Sequence, residues 1–134
     1  MLDPNVLISA VLSGTGSPAR VLRAWLAGEY DLVISPRLIA ELERVLEYPK
    51  IARRVTSAEA AELVELLHRH AEELDDPQGT ASVTSADPDD DYLIALAQAA
   101  RAVIVSGDAH LLDLADKVPV HTPAAFLTLL SSQM

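Results

Sequence analysis

Two short runs, YDLVIS (30–35) and AVIVS (102–106), are almost entirely apolar, and both lie among stretches that read as helices. A strand with one wet face alternates polar and apolar residues. A strand without that alternation is buried on both faces, which is the usual condition in a parallel sheet covered by helices. VPVH (118–121) reads as a third strand, and Met1-Leu2 as the stub of a fourth.

The helices announce themselves through their first residues. Ser17-Pro18, Ser35-Pro36, Asp87-Pro88 and Thr122-Pro123 each join a side chain that can accept a first-turn N–H to a proline with no N–H to leave unpaired. Helices are therefore predicted to start near residues 18, 36, 88 and 123. Thr56 with Glu59 three residues on is a capping box. Its helix is expected to reach about Leu74, with Leu63, Leu66, Leu67 and Leu74 inward. Strands and helices alternate along the chain, as in an α/β fold with a parallel sheet. No repeat is present. The polar connection at 75–91 reads as a loop inside one domain covering residues 1–134.

Half of the residues are hydrophobic but only 4% are aromatic, so the core must be aliphatic. There is no cysteine, which excludes disulfides and thiolate metal sites. No apolar run approaches the roughly 20 residues of a membrane helix, and no secretion pattern is visible, so a cytoplasmic location is expected. The net charge of −10 argues against a broad nucleic-acid-gripping surface. The charge is uneven, however. Residues 1–54 hold seven Lys/Arg against six Asp/Glu, and residues 55–134 hold three against fourteen. Arg20, Arg23, Arg37, Arg44, Lys50, Arg53 and Arg54 all fall in the first part. Singly they are solvated helix faces; together they are candidates for a local phosphate track.

In open α/β sheets, ligands bind beyond the carboxyl ends of the strands. Asp3 follows the stub strand and Asp108 follows AVIVS through Ser106-Gly107. Glu41 lies about two turns into the helix after YDLVIS, and Asp89, Asp90 and Asp91 open the helix DYLIALAQAARA. Each acid alone has an ordinary structural explanation: a helix cap, a complement to a helix dipole, or a solvated face. Their joint placement at one edge is harder to explain that way. Two carboxylates about 4 Å apart repel by roughly 4 kcal/mol at an effective dielectric of ~20. A converging cluster therefore needs a cation, and an all-oxygen set suits Mg²⁺ or Mn²⁺. Such a site lowers the pKa of bound water and stabilises charge on a phosphate. His110, two residues after Asp108, is expected at the surface or behind the ligands. His68 and His70, two apart, face different sides of their helix.

The motifs DPNVLISAVL, GSPARVLRAWLAGEYDLVISPRLIAELERVL, DPDDDYLIALA and VSGDAHLLDL, in this order and spacing, resemble the PIN-domain family. This is the fold of the toxin ribonucleases of VapBC-type toxin–antitoxin pairs; the resemblance runs over essentially the whole chain and is strongest to the PIN branch of toxin–antitoxin system toxin components. It implies a three-layer α/β/α fold with a central parallel sheet of four to five short strands. It implies a metal-binding and catalytic quartet of Asp3, Glu41, Asp91 and Asp108, with Asp90 as a further ligand candidate. Asn5 would brace Asp3, and Ser106 would hydrogen-bond a carboxylate or bound water. Two departures stand out. Pro4 replaces the threonine usual after the first acid, removing a hydroxyl and an N–H, and only Met1 and Leu2 precede Asp3.

The resemblance further implies a Mg²⁺- or Mn²⁺-dependent endoribonuclease acting on single-stranded RNA. Arg20, Arg37, Arg44, Lys50, Arg53 and Arg54 are its candidate RNA contacts. An antitoxin protein would silence it, and a homodimer is expected. A different class is a PIN-like protein-binding module without strong catalysis; retention of all four acids speaks against it, while Pro4 and the short start speak for it. Phosphoryl transfer through an aspartate fits less well. DPNV has Asn5 where a second acid would stand, and Lys117 is badly placed.

Overall fold

The structure, a computed structural model, describes residues 1–78 and 90–132. Helix α1 (Pro4–Leu12) begins at Asp3, whose carboxylate accepts the Asn5 N–H at 3.1 Å. Pro4 takes the first helical position, where a backbone N–H would find no helical partner. The proline thus fits the backbone at this position. Helix α2 (Ser17–Leu26) starts one residue earlier than expected. Gly16, not Ser17, is its cap, and no side chain bonds its first turn.

Strand β1 (Val33–Ile34) leads into α3 (Pro36–Leu46), capped by Ser35 Oγ accepting from Leu38 N at 3.2 Å. A short helix, α4 (Pro49–Ala52), follows. Helix α5 (Ser57–His70) opens with the expected capping box: Glu59 N donates to Thr56 Oγ1 at 3.1 Å and Thr56 N to the Glu59 carboxylate at 3.0 Å. Leu63 and Leu67 are buried and Leu66 is half-buried.

α5 does not reach Leu74. It stops at His70, and Glu72–Glu73 form strand β2, parallel to β1. Glu72 N donates to Leu32 O at 2.8 Å and Leu74 N to Ile34 O at 2.9 Å. Backbone pairing outweighs helix propensity here. Both glutamates are exposed at a sheet edge, where charged side chains are the norm.

Helix α6 (Asp91–Ala100) ends on Arg101 in the left-handed conformation (φ 54°), which turns the chain into β3 (Ile104–Val105). The predicted helix start at Asp87-Pro88, and Asp89 with it, lie outside the described residues. Helix α7 (Ala109–Leu112) and β4 (Val120–His121) lead to α8 (Pro123–Ser131), capped by Thr122 Oγ1 accepting from Ala125 N at 3.1 Å.

The architecture is α/β with parallel pairing, but the strands are shorter than the apolar runs. Among the described residues they form two two-stranded ladders, β1–β2 and β3–β4, not one continuous sheet of four to five strands. The stub at Leu2 joins the second ladder by a parallel bridge to Val105; Asp3 N donates to Val105 O at 3.0 Å and Val105 N to Met1 O at 2.9 Å. Each strand is two residues long, and β1 and β4 run directly into the caps of α3 and α8. One aliphatic cluster underlies everything, with Leu7, Leu38, Leu42, Leu67, Leu93, Ile94 and Ile104 at its heart. Tyr30 ties α2 to α8: its hydroxyl donates to Val21 O at 2.8 Å and its ring meets Phe126 edge-on at 5.0 Å. Among the described residues no helix is long and apolar enough to cross a membrane.

Candidate metal centre

Pairing of the Leu2 stub with β3 carries two chain segments to one edge, and each ends in an acid. Asp3 is only 4% exposed. The fully buried Ser106 links it to the second acid: Ser106 Oγ donates to Asp3 Oδ2 at 2.7 Å and accepts from Asp108 N at 3.0 Å. The Asn5 contribution to Asp3 comes from its backbone N–H, while the Asn5 side chain is exposed. Burial is the main force on the Asp3 carboxyl and pushes its pKa up. The bonds from Ser106 and Asn5 pull it down, and the charge of Asp108 pushes it up again.

Asp108 caps α7, its Oδ1 accepting from His110 N at 2.8 Å, with His110 Nδ1 3.7 Å from the same oxygen. Across from it stands Asp90 at the start of α6, its Oδ2 shielded from solvent. One donor atom from each of Asp90, Asp108 and His110 falls within 4.8 Å of the others. A hollow of about 350 Å³ opens beside Asp108, bounded by Asn5, Ser9, Gly107 and the prolines Pro18 and Pro123.

Tyr92, the second residue of α6, reports on the wider neighbourhood. Burial raises its hydroxyl pKa, and the negative charges of Asp3, Glu41 and Asp90 raise it further; Arg37 opposes them. The Arg37 guanidinium lies 4.8 Å from the centre of the Tyr92 ring. The charges of acids from the stub strand, α3 and the start of α6 thus reach the hydroxyl of one tyrosine, and one arginine lies over its ring.

The expected quartet is assembled unevenly. Asp3 and Asp108 are joined through Ser106. Glu41 is close enough for Tyr92 to feel, but its carboxylate is bonded to Arg44 at 2.8 Å. Asp91 lies in the first turn of α6, and it is Asp90 that groups with Asp108. His110 belongs to that group too, and it is exposed at the surface as expected. The signal was its position in the first turn of a helix capped by Asp108. Of the basic residues, Arg37 is at the acids, Arg44 is tied to Glu41, and Arg20 lines a surface hollow between α2 and α8. Lys50, Arg53 and Arg54 are exposed on and after α4.

The donor chemistry fits a divalent cation. Carboxylates suit Mg²⁺, and the imidazole of His110 makes the set more favourable to Mn²⁺. A buried carboxylate whose charge is disfavoured by its surroundings also gains from a nearby cation. No curated protein matches the chain. The family model for the PIN domain matches residues 1–110, from the stub strand through Asp108 and His110. PIN domains are generally metal-dependent nucleases, and with most of its length matched this chain belongs to the PIN-domain family.

Proposed function

We propose that this chain is an endoribonuclease that hydrolyses phosphodiester bonds in single-stranded RNA with Mg²⁺ or Mn²⁺ as cofactor. The observation that carries the reading is the meeting of Asp90, Asp108 and His110 donor atoms within 4.8 Å, beside a buried Asp3 wired to Asp108 through Ser106. Asp108, Asp90 and His110 would hold the cation, with Asp3, Glu41 and Asp91 completing the acidic shell. The cation supplies charge neutralisation at the phosphate and a more acidic water.

The chain's own residues do the rest. Ser106 fixes the rotamer of Asp3 and the backbone of Asp108. Tyr92 holds Arg37 at the edge of the acids, where the guanidinium can fork to a phosphate oxygen. Arg44, Lys50, Arg53, Arg54 and Arg20 extend the basic half of the surface along which RNA would run. In this reading residues 1–134 form one domain, and the two parallel ladders are parts of one PIN-type sheet inside a three-layer fold. The protein acts in the cytoplasm as the toxin of a toxin–antitoxin pair, as a homodimer, silenced by an antitoxin that brings a cationic side chain to the acids.

The test is cleavage of a mixed-sequence single-stranded RNA by the purified chain in Mn²⁺ or Mg²⁺ and in EDTA. Metal-dependent cutting is the expected result. No cutting under any condition, with no Mn²⁺-induced rise in thermal midpoint, would leave a PIN-like binding module as the better reading.

A further inference from the structure

Asp108 belongs to two places at once. It is one of the three donors that meet within 4.8 Å, and it also lines the hollow of about 350 Å³, to which neither Asp90 nor His110 contributes. That hollow lies between α1, the starts of α2 and α8, and the loop from β3 to α7. Pro18 and Pro123, in the first turns of α2 and α8, give it two half-buried apolar rings. Asn5 and Ser9, four apart and so on one face of α1, bring an amide and a hydroxyl.

Both polar side chains are spare. The Asn5 backbone N–H already serves Asp3, and among the described residues neither the Asn5 amide nor the Ser9 hydroxyl takes part in a hydrogen bond. Both residues are exposed. Gly107 leaves its part of the wall open, since a Cβ there would meet no atom within 4 Å. The volume stands at the low end of the roughly 300–1,000 Å³ usual for small-molecule sites. It admits one ring system and excludes a helix or a duplex. The fitting ligand has flat apolar faces for the prolines, donors and acceptors along one edge for Asn5 and Ser9, and a link to a phosphate beside Asp108. An unpaired nucleobase has all three. Single-stranded RNA is read in this way, by bases splayed out of the strand and bonded along their edges. An asparagine amide presents a donor and an acceptor side by side, as a base edge does.

We propose that this hollow seats one unpaired base of a single-stranded RNA, flanked by Pro18 and Pro123 and bonded along its edge by Asn5 and Ser9, next to the phosphate at the acids. The inference rests on the ribonuclease reading for the identity of its ligand. It goes beyond that reading by giving the Asn5 side chain and Ser9 a part in choosing substrate, and by explaining a preference for single strands: a paired base cannot enter.

The probes are the neutral nucleosides adenosine and cytidine, titrated in EDTA into the isotope-labelled full chain and followed by NMR, with ribose as the ligand that lacks a base. Neither metal nor cleavage is needed, so the hollow is tested apart from the acidic centre. The backbone amide signals of Asn5, Ser9 and Gly107 should shift saturably with a nucleoside, and ribose should bind at least about tenfold more weakly, in line with the contribution of a single base contact. Ser9→Leu fills the hollow from an exposed helical position that favours leucine over serine, so it should abolish these shifts without lowering the thermal midpoint. Asn5→Ala keeps the backbone N–H to Asp3 and should weaken nucleoside binding several-fold. It serves as the deciding variant if the leucine disturbs folding. No shift with either nucleoside, equal binding of ribose, or binding untouched by both variants would overturn the proposal. Any of these beside metal-dependent RNA cutting would strike out the base site and keep the ribonuclease. Saturable nucleoside binding in a chain that cuts no RNA would uphold the base site and strike out the ribonuclease.

Discussion

Asp3 and Glu41 both push up the pKa of the Tyr92 hydroxyl, yet the fold holds them in opposite ways. Asp3 is buried, bonded by Ser106 Oγ and by the Asn5 N–H, and kept in place by the bridge of Leu2 to Val105, with Asp3 N donating to Val105 O. Glu41 is one-third exposed and paired to an exposed Arg44 on its own helix. The first acid is positioned by tertiary structure and suffers for its charge. The second is positioned by local helix geometry and has its charge compensated before any cation arrives. A metal centre built on both acids would have one side pre-organised and one side that exchanges an arginine for the cation.

The largest effect should come from Asp108, which joins the pre-organised side to the donor group. Asp108→Asn keeps an oxygen that can accept the His110 N–H, so the cap on α7 persists. It removes a charge that, on the proposed function, would hold the cation. Cleavage should fall by roughly 10³-fold or more, on the scale of losing a principal electrostatic group. The metal-free thermal midpoint should hold or rise, because the repulsion with Asp3 is relieved. Unfolding of this variant in EDTA would show that Asp108 supports the fold rather than the site.

Next is Ser106→Ala, which deletes the link between the two acids. Asp3 Oδ2 would lose its partner in a buried place, costing about 1–3 kcal/mol of stability. Loss of an orienting hydrogen bond behind a ligand should lower activity by roughly 10–100-fold. Chemical denaturation and Mn²⁺ titration read the two separately. If both are unchanged, Asp3 is held by strand pairing alone and the contrast with Glu41 is smaller than drawn.

A third effect concerns pH. The Asp3 carboxyl has its pKa raised in the folded chain, so the fold binds a proton there that the unfolded chain has already released. Stability without metal should therefore decline as pH rises from the usual carboxylate value through the raised one, then level off. Asp3→Asn should flatten that part of the curve, and the difference between parent and variant isolates it from the other acids. Saturating Mn²⁺ should flatten it too. A parent and variant that decline in parallel in EDTA would mean that Asp3 is solvated in the native state.

The same contrast explains what could be read from the chain. Ser35, Thr56 and Thr122 act through neighbours three residues on, so their helix starts were visible in sequence. Asp3 and Asp108 were visible because each follows an apolar run. Strand β2 was hidden, since Glu72-Glu73 carries no alternation and becomes a strand only by pairing with Val33–Ile34 across the chain. The preference for Asp90 in the donor group, and the entry of His110, depend on how α6 and α7 meet in space. Arg44, three residues after Glu41, was in plain sight as a helix pair. What sequence could not weigh was which partner Glu41 keeps.

That competition gives the smallest and most discriminating prediction. Arg44 is exposed, and exposed ion pairs contribute little to stability, so Arg44→Gln should leave the thermal midpoint where it is. The variant frees the Glu41 carboxylate from its present partner. If Glu41 turns to the cation, the arginine is a competitor whose removal favours the metal-bound state, and Mn²⁺ should bind a few-fold more tightly. Glu41→Gln should weaken Mn²⁺ binding, and the double variant should behave like Glu41→Gln alone, because the competitor matters only while its target is present. Tighter binding in Arg44→Gln that persists in the double variant would assign the effect to general charge and leave Glu41 a surface partner of Arg44. Calorimetric Mn²⁺ titration of the four proteins separates these outcomes, and so decides whether the exposed side of the centre takes part in holding the metal.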